Sequence, residues 1–126
     1  MFLVYSASHC STDAYTLGML TANATADLTN PAAWTKSATP VFSPTATNGT
    51  FGVGHNSFSQ TPTDRTSGPA GPPENWILYH ANPQAGQGCG DRRSIRMQRF
   101  TWKVDGSPDF GQPKPLTELV KRPGGE

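Results

Sequence analysis

Three features of the sequence predict an all-β fold. Thirteen glycines and twelve prolines make up about one residue in five, well above ordinary usage, so turns must be frequent. The apolar stretches are short, rich in aromatic or branched residues, and bounded by Gly, Pro, Asn or Asp. Ser and Thr are abundant, a composition that suits short strands and turns better than helices. At 126 residues the chain is at most one domain by size, and long enough to bury a sizeable core. Its Trp, Tyr and Phe content, with a net charge of only +1, separates it from disordered chains, which pair high net charge with few aromatics.

Residues 2–8 read as a buried strand and residues 15–22 as a second, the two forming a hairpin across the polar loop at His9–Asp13. Gly18 inside the second strand predicts a bulge or a closely packed neighbour. Asn30 caps one turn of helix with Pro31 at its first position, and Trp34 anchors that turn to the sheet. Residues 45–54 read as a loop that delivers His55, and residues 56–61 as an inner strand. The Pro-rich stretch 62–75 is a rim loop. Residues 76–81 make the clearest strand, 83–92 a glycine-rich connection, and 93–104 a half-exposed strand. Asp105-Gly106-Ser107-Pro108 is a turn, and the end of the chain holds at most one more short strand, near 115–120.

The same composition narrows the function. A net charge of +1 leaves no electrostatic footprint for nucleic acid or an anionic membrane, and the mildly basic segment 114–122 reads as a solvated tail. No run approaches the roughly 20 apolar residues of a membrane-spanning helix. The glycine-rich connection lacks the GxxxxGK pattern of a phosphate-binding loop. Cys10 and Cys89 are far apart and neither lies in a CxxC, which argues against a thiolate zinc site; they are either one disulfide of a secreted protein or two free thiols. Two Asn-x-Thr sequons, at Asn23 and Asn48, suit secretion.

The centre of the chain is Gly52-Val53-Gly54-His55-Asn56-Ser57-Phe58. Two glycines permit unusual backbone or a close approach, and a single imidazole follows at the start of a strand. Such a loop holds a ligand or a metal on a rigid scaffold, or is a tight turn with a hydrogen-bonded His. A hairpin, a long crossover and three further strands suit the antiparallel blades of a propeller, although YSAS and YHAN are the only trace of an internal repeat.

Leu3-Val4-Tyr5-Ser6-Ala7-Ser8, Asn30-Pro31, Trp34, Pro40-Val41-Phe42, Gly54-His55-Asn56-Ser57-Phe58, Tyr79-His80-Ala81, Cys89-Gly90-Asp91-Arg92-Arg93-Ser94, Arg96, Gln98, Phe100 and Trp102 together resemble the C-terminal part of glycoside hydrolase family 43, with α-L-arabinofuranosidase and exo-arabinanase-like members nearest. Ile95 stands where such proteins often carry Pro. The resemblance implies a partial five-bladed β-propeller of about two blades, residues 1–50 ending one blade with its crossover and 51–126 forming the last. It implies hydrolysis, with inversion, of terminal α-L-arabinofuranosyl or β-xylosyl links in plant cell-wall polysaccharide, and a secreted protein. It also implies that the general base, a tuning Asp and the general acid Glu correspond to positions before Met1, so that no catalytic residue is expected here.

Asp13 and Asp91 are the carboxylates in family-like polar loops; pairing with a neighbouring Arg or capping a turn is the expected role of Asp91. Glu74, Asp105 and Asp109 read as solvated turn residues. The resemblance places His55 in the central channel, where it helps to hold a calcium ion, largely through the water shell. Arg93 and Arg96 are candidates to reach a sugar or hold a carboxylate, or are strand-surface ion pairs. His9, Cys10 and Tyr15 line the rim, and Trp34, Trp76 and Trp102 are packing residues rather than sugar platforms. The expected substrate-binding set is thus His55, Arg93, Arg96, Tyr15 and Cys10. The partner is an arabinose-containing polysaccharide or oligosaccharide, with self-association through exposed blade faces. The alternative function is a non-catalytic remnant or a carbohydrate-binding module.

Overall fold

The computed structural model describes residues 1–62 and 72–123. Among these, seven strands form two antiparallel sheets. The first sheet has the order β1 (Phe2–Ala7), β2 (Thr16–Thr21), β3 (Thr35–Lys36). The second runs β4 (Phe51–Thr61), β5 (Glu74–Asn82), β6 (Ser94–Trp102), β7 (Pro108–Asp109) in chain order. The hairpin of β1 and β2 pairs Phe2 with Thr21 and Ala7 with Thr16, as the sequence predicts.

Between the hairpin and β4, Pro31–Ala33 forms a 3-10 turn whose cap Asn30 accepts from the Ala32 N–H at 3.0 Å. Trp34 follows it half-buried, and its indole N–H bonds Leu28 O within the same loop. The chain then returns to the first sheet: Val41 N–H donates to Leu17 O, and Leu17 N–H to Phe42 O. That brings Phe42 between the sheets, where it meets Tyr79 edge-on at 4.9 Å. Leu17, Phe42, Val53, Ile77, Tyr79, Ala81, Phe100 and Phe110 form the core. Each of the larger side chains taken from water is worth about 2 kcal/mol, so this seam fixes how the sheets lie.

Three expectations need correction. The inner strand does not begin after His55: β4 starts at Phe51 and contains the imidazole, with register shifts on both sides of Gly54. Positive φ at Gly52 (58°) and His55 (56°) breaks the pleat twice without ending the pairing. The C-terminal strand is β7, not a strand near 115–120. Pro113 and Pro115 lack N–H groups for a ladder, and side-chain amides take up the backbone there instead. Gln98 donates to Phe110 O and Gln112 O and accepts from Lys114 N–H, while Asn48 donates to Pro113 O at 2.9 Å. Finally, Glu74 is not a solvated turn residue. It opens β5 with its side chain buried, ion-paired to Arg99 of β6. The predicted rim loop falls largely outside the described residues, at 63–71.

Asp105 does cap its turn, accepting from Ser107 N–H and hydroxyl, and Asp109 accepts from Gly111 N–H. Trp76 is fully buried, whereas Trp102 is 52% exposed and packs on Phe2 and Phe100.

Candidate functional site

One end of the two sheets is organised around close approaches rather than apolar packing. A Cβ on Gly54 would lie 2.1 Å from the Tyr15 ring, so only glycine lets β4 pass beneath that tyrosine. Gly52 N–H donates to Asp13 O at 3.1 Å. His55, which follows Gly54, takes a left-handed backbone that non-glycine residues adopt rarely. Its N–H donates to the Ser6 hydroxyl at 2.8 Å, which ties the turn to β1. Its ring is exposed and lies 5.0 Å from the ring of His80 on β5.

Cys10 and Cys89 form a disulfide, which resolves the alternatives left by the sequence. The bridge joins the loop after β1 to the loop after β5. Arg93 uses that junction: its Nη2 donates to Cys10 O at 2.7 Å and to Gly88 O at 3.1 Å, and its guanidinium lies 5.0 Å from the Tyr15 ring centre. Asn82 also donates to Gly88 O, at 2.8 Å. Asp13 accepts from Gly86 N–H with both carboxylate oxygens. Arg93 is therefore held by carbonyls rather than by Asp91.

The site is rich in nitrogen, with the Arg93 guanidinium and the imidazoles of His55 and His80. His80 is held below the usual histidine range, by burial first and then by His55 and Arg93. Calcium prefers six to eight oxygens. Around His55 the described residues present imidazoles and a guanidinium, and no group of three His, Cys, Asp or Glu side chains among them is placed to hold a metal. They do not make up a calcium site by themselves.

The structure thus gathers Tyr15, Cys10, His55 and Arg93 in one place. It does not add Arg96, which lies buried beside Tyr79 and residues 114–120. His9 is exposed and bonded to Ser11 through Nδ1. The sequence reading missed His80 and Ser6. An imidazole at the end of an otherwise apolar strand was the available signal for His80; Ser6 carries none, because its role comes from an inter-sheet contact.

The model of glycosyl hydrolases family 43 matches residues 1–108. The chain belongs to that family. It is 42% identical over 118 residues to an extracellular exo-α-(1→5)-L-arabinofuranosidase of Streptomyces avermitilis, covering 90% of this chain and 22% of the relative. It is 38% identical over 120 residues to α-L-arabinofuranosidase B of Pyricularia oryzae, covering 91% and 23%. The crystal structure of an α-L-arabinofuranosidase from Lactobacillus brevis superposes with a TM-score of 0.75 at 36% identity, over 94% of this chain and 35% of that one. The family 43 chain therefore spans about a quarter of the length of the curated relatives it matches. Its fold is a partial β-propeller.

Proposed function

We propose that this family 43 chain is part of a secreted enzyme that hydrolyses terminal α-L-arabinofuranosyl or β-xylosyl links in plant cell-wall polysaccharide with inversion. In this reading residues 1–50 complete one blade, residues 51–126 form the last, and the chain supplies a sugar-binding wall rather than the acid–base pair. The observation that carries it is the junction of Tyr15, His55 and Arg93 at the inter-sheet disulfide. Arg93 and His55 offer donors to sugar hydroxyls, Tyr15 an apolar edge, and the Cys10 carbonyl and disulfide hold Arg93 in place. A calcium ion there would take its oxygens from water or from further polypeptide.

Inversion needs two carboxyl groups about 6.5–9.5 Å apart across the sugar, one protonating the leaving oxygen and one activating water. Asp13 has both oxygens on the Gly86 N–H, which suits a structural carboxylate better than a general base. That observation favours the second reading, a carbohydrate-binding module, for this chain taken alone.

The test is to titrate the chain with arabino-oligosaccharide and to assay it on 4-nitrophenyl α-L-arabinofuranoside. Binding in the millimolar range, roughly 4 kcal/mol, with no turnover is expected. Arg93→Ala and His55→Ala should each weaken it about tenfold, or about 1.4 kcal/mol. Unchanged binding in both variants would remove the site, and turnover abolished by Asp13→Asn would show that the chain carries its own catalytic carboxylate.

A further inference from the structure

Away from the disulfide, the second sheet buries a positive charge. Arg96 on β6 is 7% exposed, and its Nε, Nη1 and Nη2 have no hydrogen-bond partner among the described residues. The neutral groups around it are already engaged. Tyr79, its partner across the ladder, donates its hydroxyl to Gln98 Oε1 at 3.1 Å. Burial pushes that phenol up to about 12, so it stays protonated near neutral pH and supplies no counter-charge. Gln98 Oε1 also accepts from Lys114 N–H, and its amide nitrogen serves two carbonyls.

A cleft of about 150 Å³ opens beside Arg96, between Ile95, Met97 and Tyr79 on one side and the 114–120 segment on the other. Glu118 is the carboxylate on that wall, and Lys114 Nζ already holds it at 2.5 Å. Removing a guanidinium from water without a partner costs several kcal/mol. Unlike a lysine or a carboxyl group, arginine cannot avoid that cost by changing its protonation. A methionine or leucine would fill the same space without it. The position therefore has the character of a receptor: a planar fork of donors, desolvated in advance, next to an open cleft.

We propose that Arg96 and this cleft form a carboxylate-binding site, separate from the Tyr15–His55–Arg93 site and independent of the sugar reading. A carboxylate matches the guanidinium fork with two parallel charge-assisted hydrogen bonds. The cleft has room for such a group, since one water occupies about 30 Å³. The carboxylate comes either from an acidic side chain of another polypeptide or from a small free acid, and the chemistry of recognition is the same.

The experiment follows the Arg96 Nε–H signal by NMR, and the melting temperature, as sodium acetate replaces sodium chloride at constant ionic strength. A parallel titration uses a blocked peptide of two glutamates. Saturable movement of the Arg96 signal with a matching rise in melting temperature is expected, both lost in Arg96→Met. Arg96→Lys, which keeps the charge without the fork, should weaken binding about tenfold. Tighter binding of the peptide than of acetate identifies a side-chain ligand; equal or weaker binding identifies a free acid. No saturable shift with either probe would overturn the proposal, as would an equal acetate effect on the melting of Arg96→Met.

Discussion

The two ends of the same pair of sheets are built on different principles. At one end β4 pairs with β5 in continuous register from Ser57 opposite Leu78 to Thr61 opposite Glu74. Aromatic rings gather there: Phe58 stacks on Phe110 at 5.6 Å, and Phe100 packs among Phe58, Trp102 and Phe110. At the other end β4 shifts register twice between Phe51 and Ser57, and a disulfide, the Arg93–Tyr15 contact and two imidazoles take the place of the phenylalanine cluster. Regular pairing with apolar rings can absorb small changes by repacking. Irregular backbone held by a few directed hydrogen bonds cannot, because the donors of Arg93 and Gly86 and the His55 N–H need their acceptors at set distances and angles. The proposed sugar site lies at the end that tolerates least.

That contrast can be broken most forcibly at the disulfide. The bridge closes a span of 79 residues, and the double substitution Cys10→Ser, Cys89→Ser should cost about 4 kcal/mol on the chain-entropy account. Phe58→Ala, at the ring-rich end and half-exposed, should cost about 1 kcal/mol. Urea unfolding of both variants checks the ratio; equal losses would dissolve the distinction between the ends. Next in size is Gly54→Ala. The added carbon meets the Tyr15 ring, and a loss of about 2–3 kcal/mol is expected, as for overpacking generally. Tyr15→Ala in that background should recover part of it, a non-additivity readable from urea midpoints.

The smallest effect is titration of His80, whose pKa is lowered on folding. Around pH 6 the unfolded chain then binds more protons than the folded one, so stability rises with pH. The contribution is complete above the ordinary histidine value of about 6.5 and declines as pH falls through the lowered value. Melting temperatures between about pH 5 and pH 7.5 should show this slope, and His80→Gln should flatten it; an unchanged slope would assign the effect elsewhere.

The ring-rich end was also the more legible from sequence. The hairpin, β5 and the Asp105 turn follow from local patterns of apolar residues and turn formers. The other end depends on contacts across the chain. Nothing next to His55 announces Ser6 or His80. The start of β4 was misplaced because Gly52 and Gly54 read as loop, whereas one admits a positive φ and the other a tyrosine ring inside a strand. The two arginines, Arg93 and Arg96, three residues apart, look alike in sequence, yet one faces carbonyls beside a disulfide and the other borders an open cleft.

The amide of Asn48 holds the Pro113 carbonyl, and Thr50 behind it is fully buried. Asn23, by contrast, is exposed in its loop. Oligosaccharide attached at Asn48 during synthesis would replace one of the two hydrogens of the amide that seats the C-terminal segment and set a bulky group in that half-buried contact, so the two acceptor sites put opposite demands on biosynthesis. Peptide mapping of material from a glycosylating host should find Asn23 modified and Asn48 bare in the folded fraction.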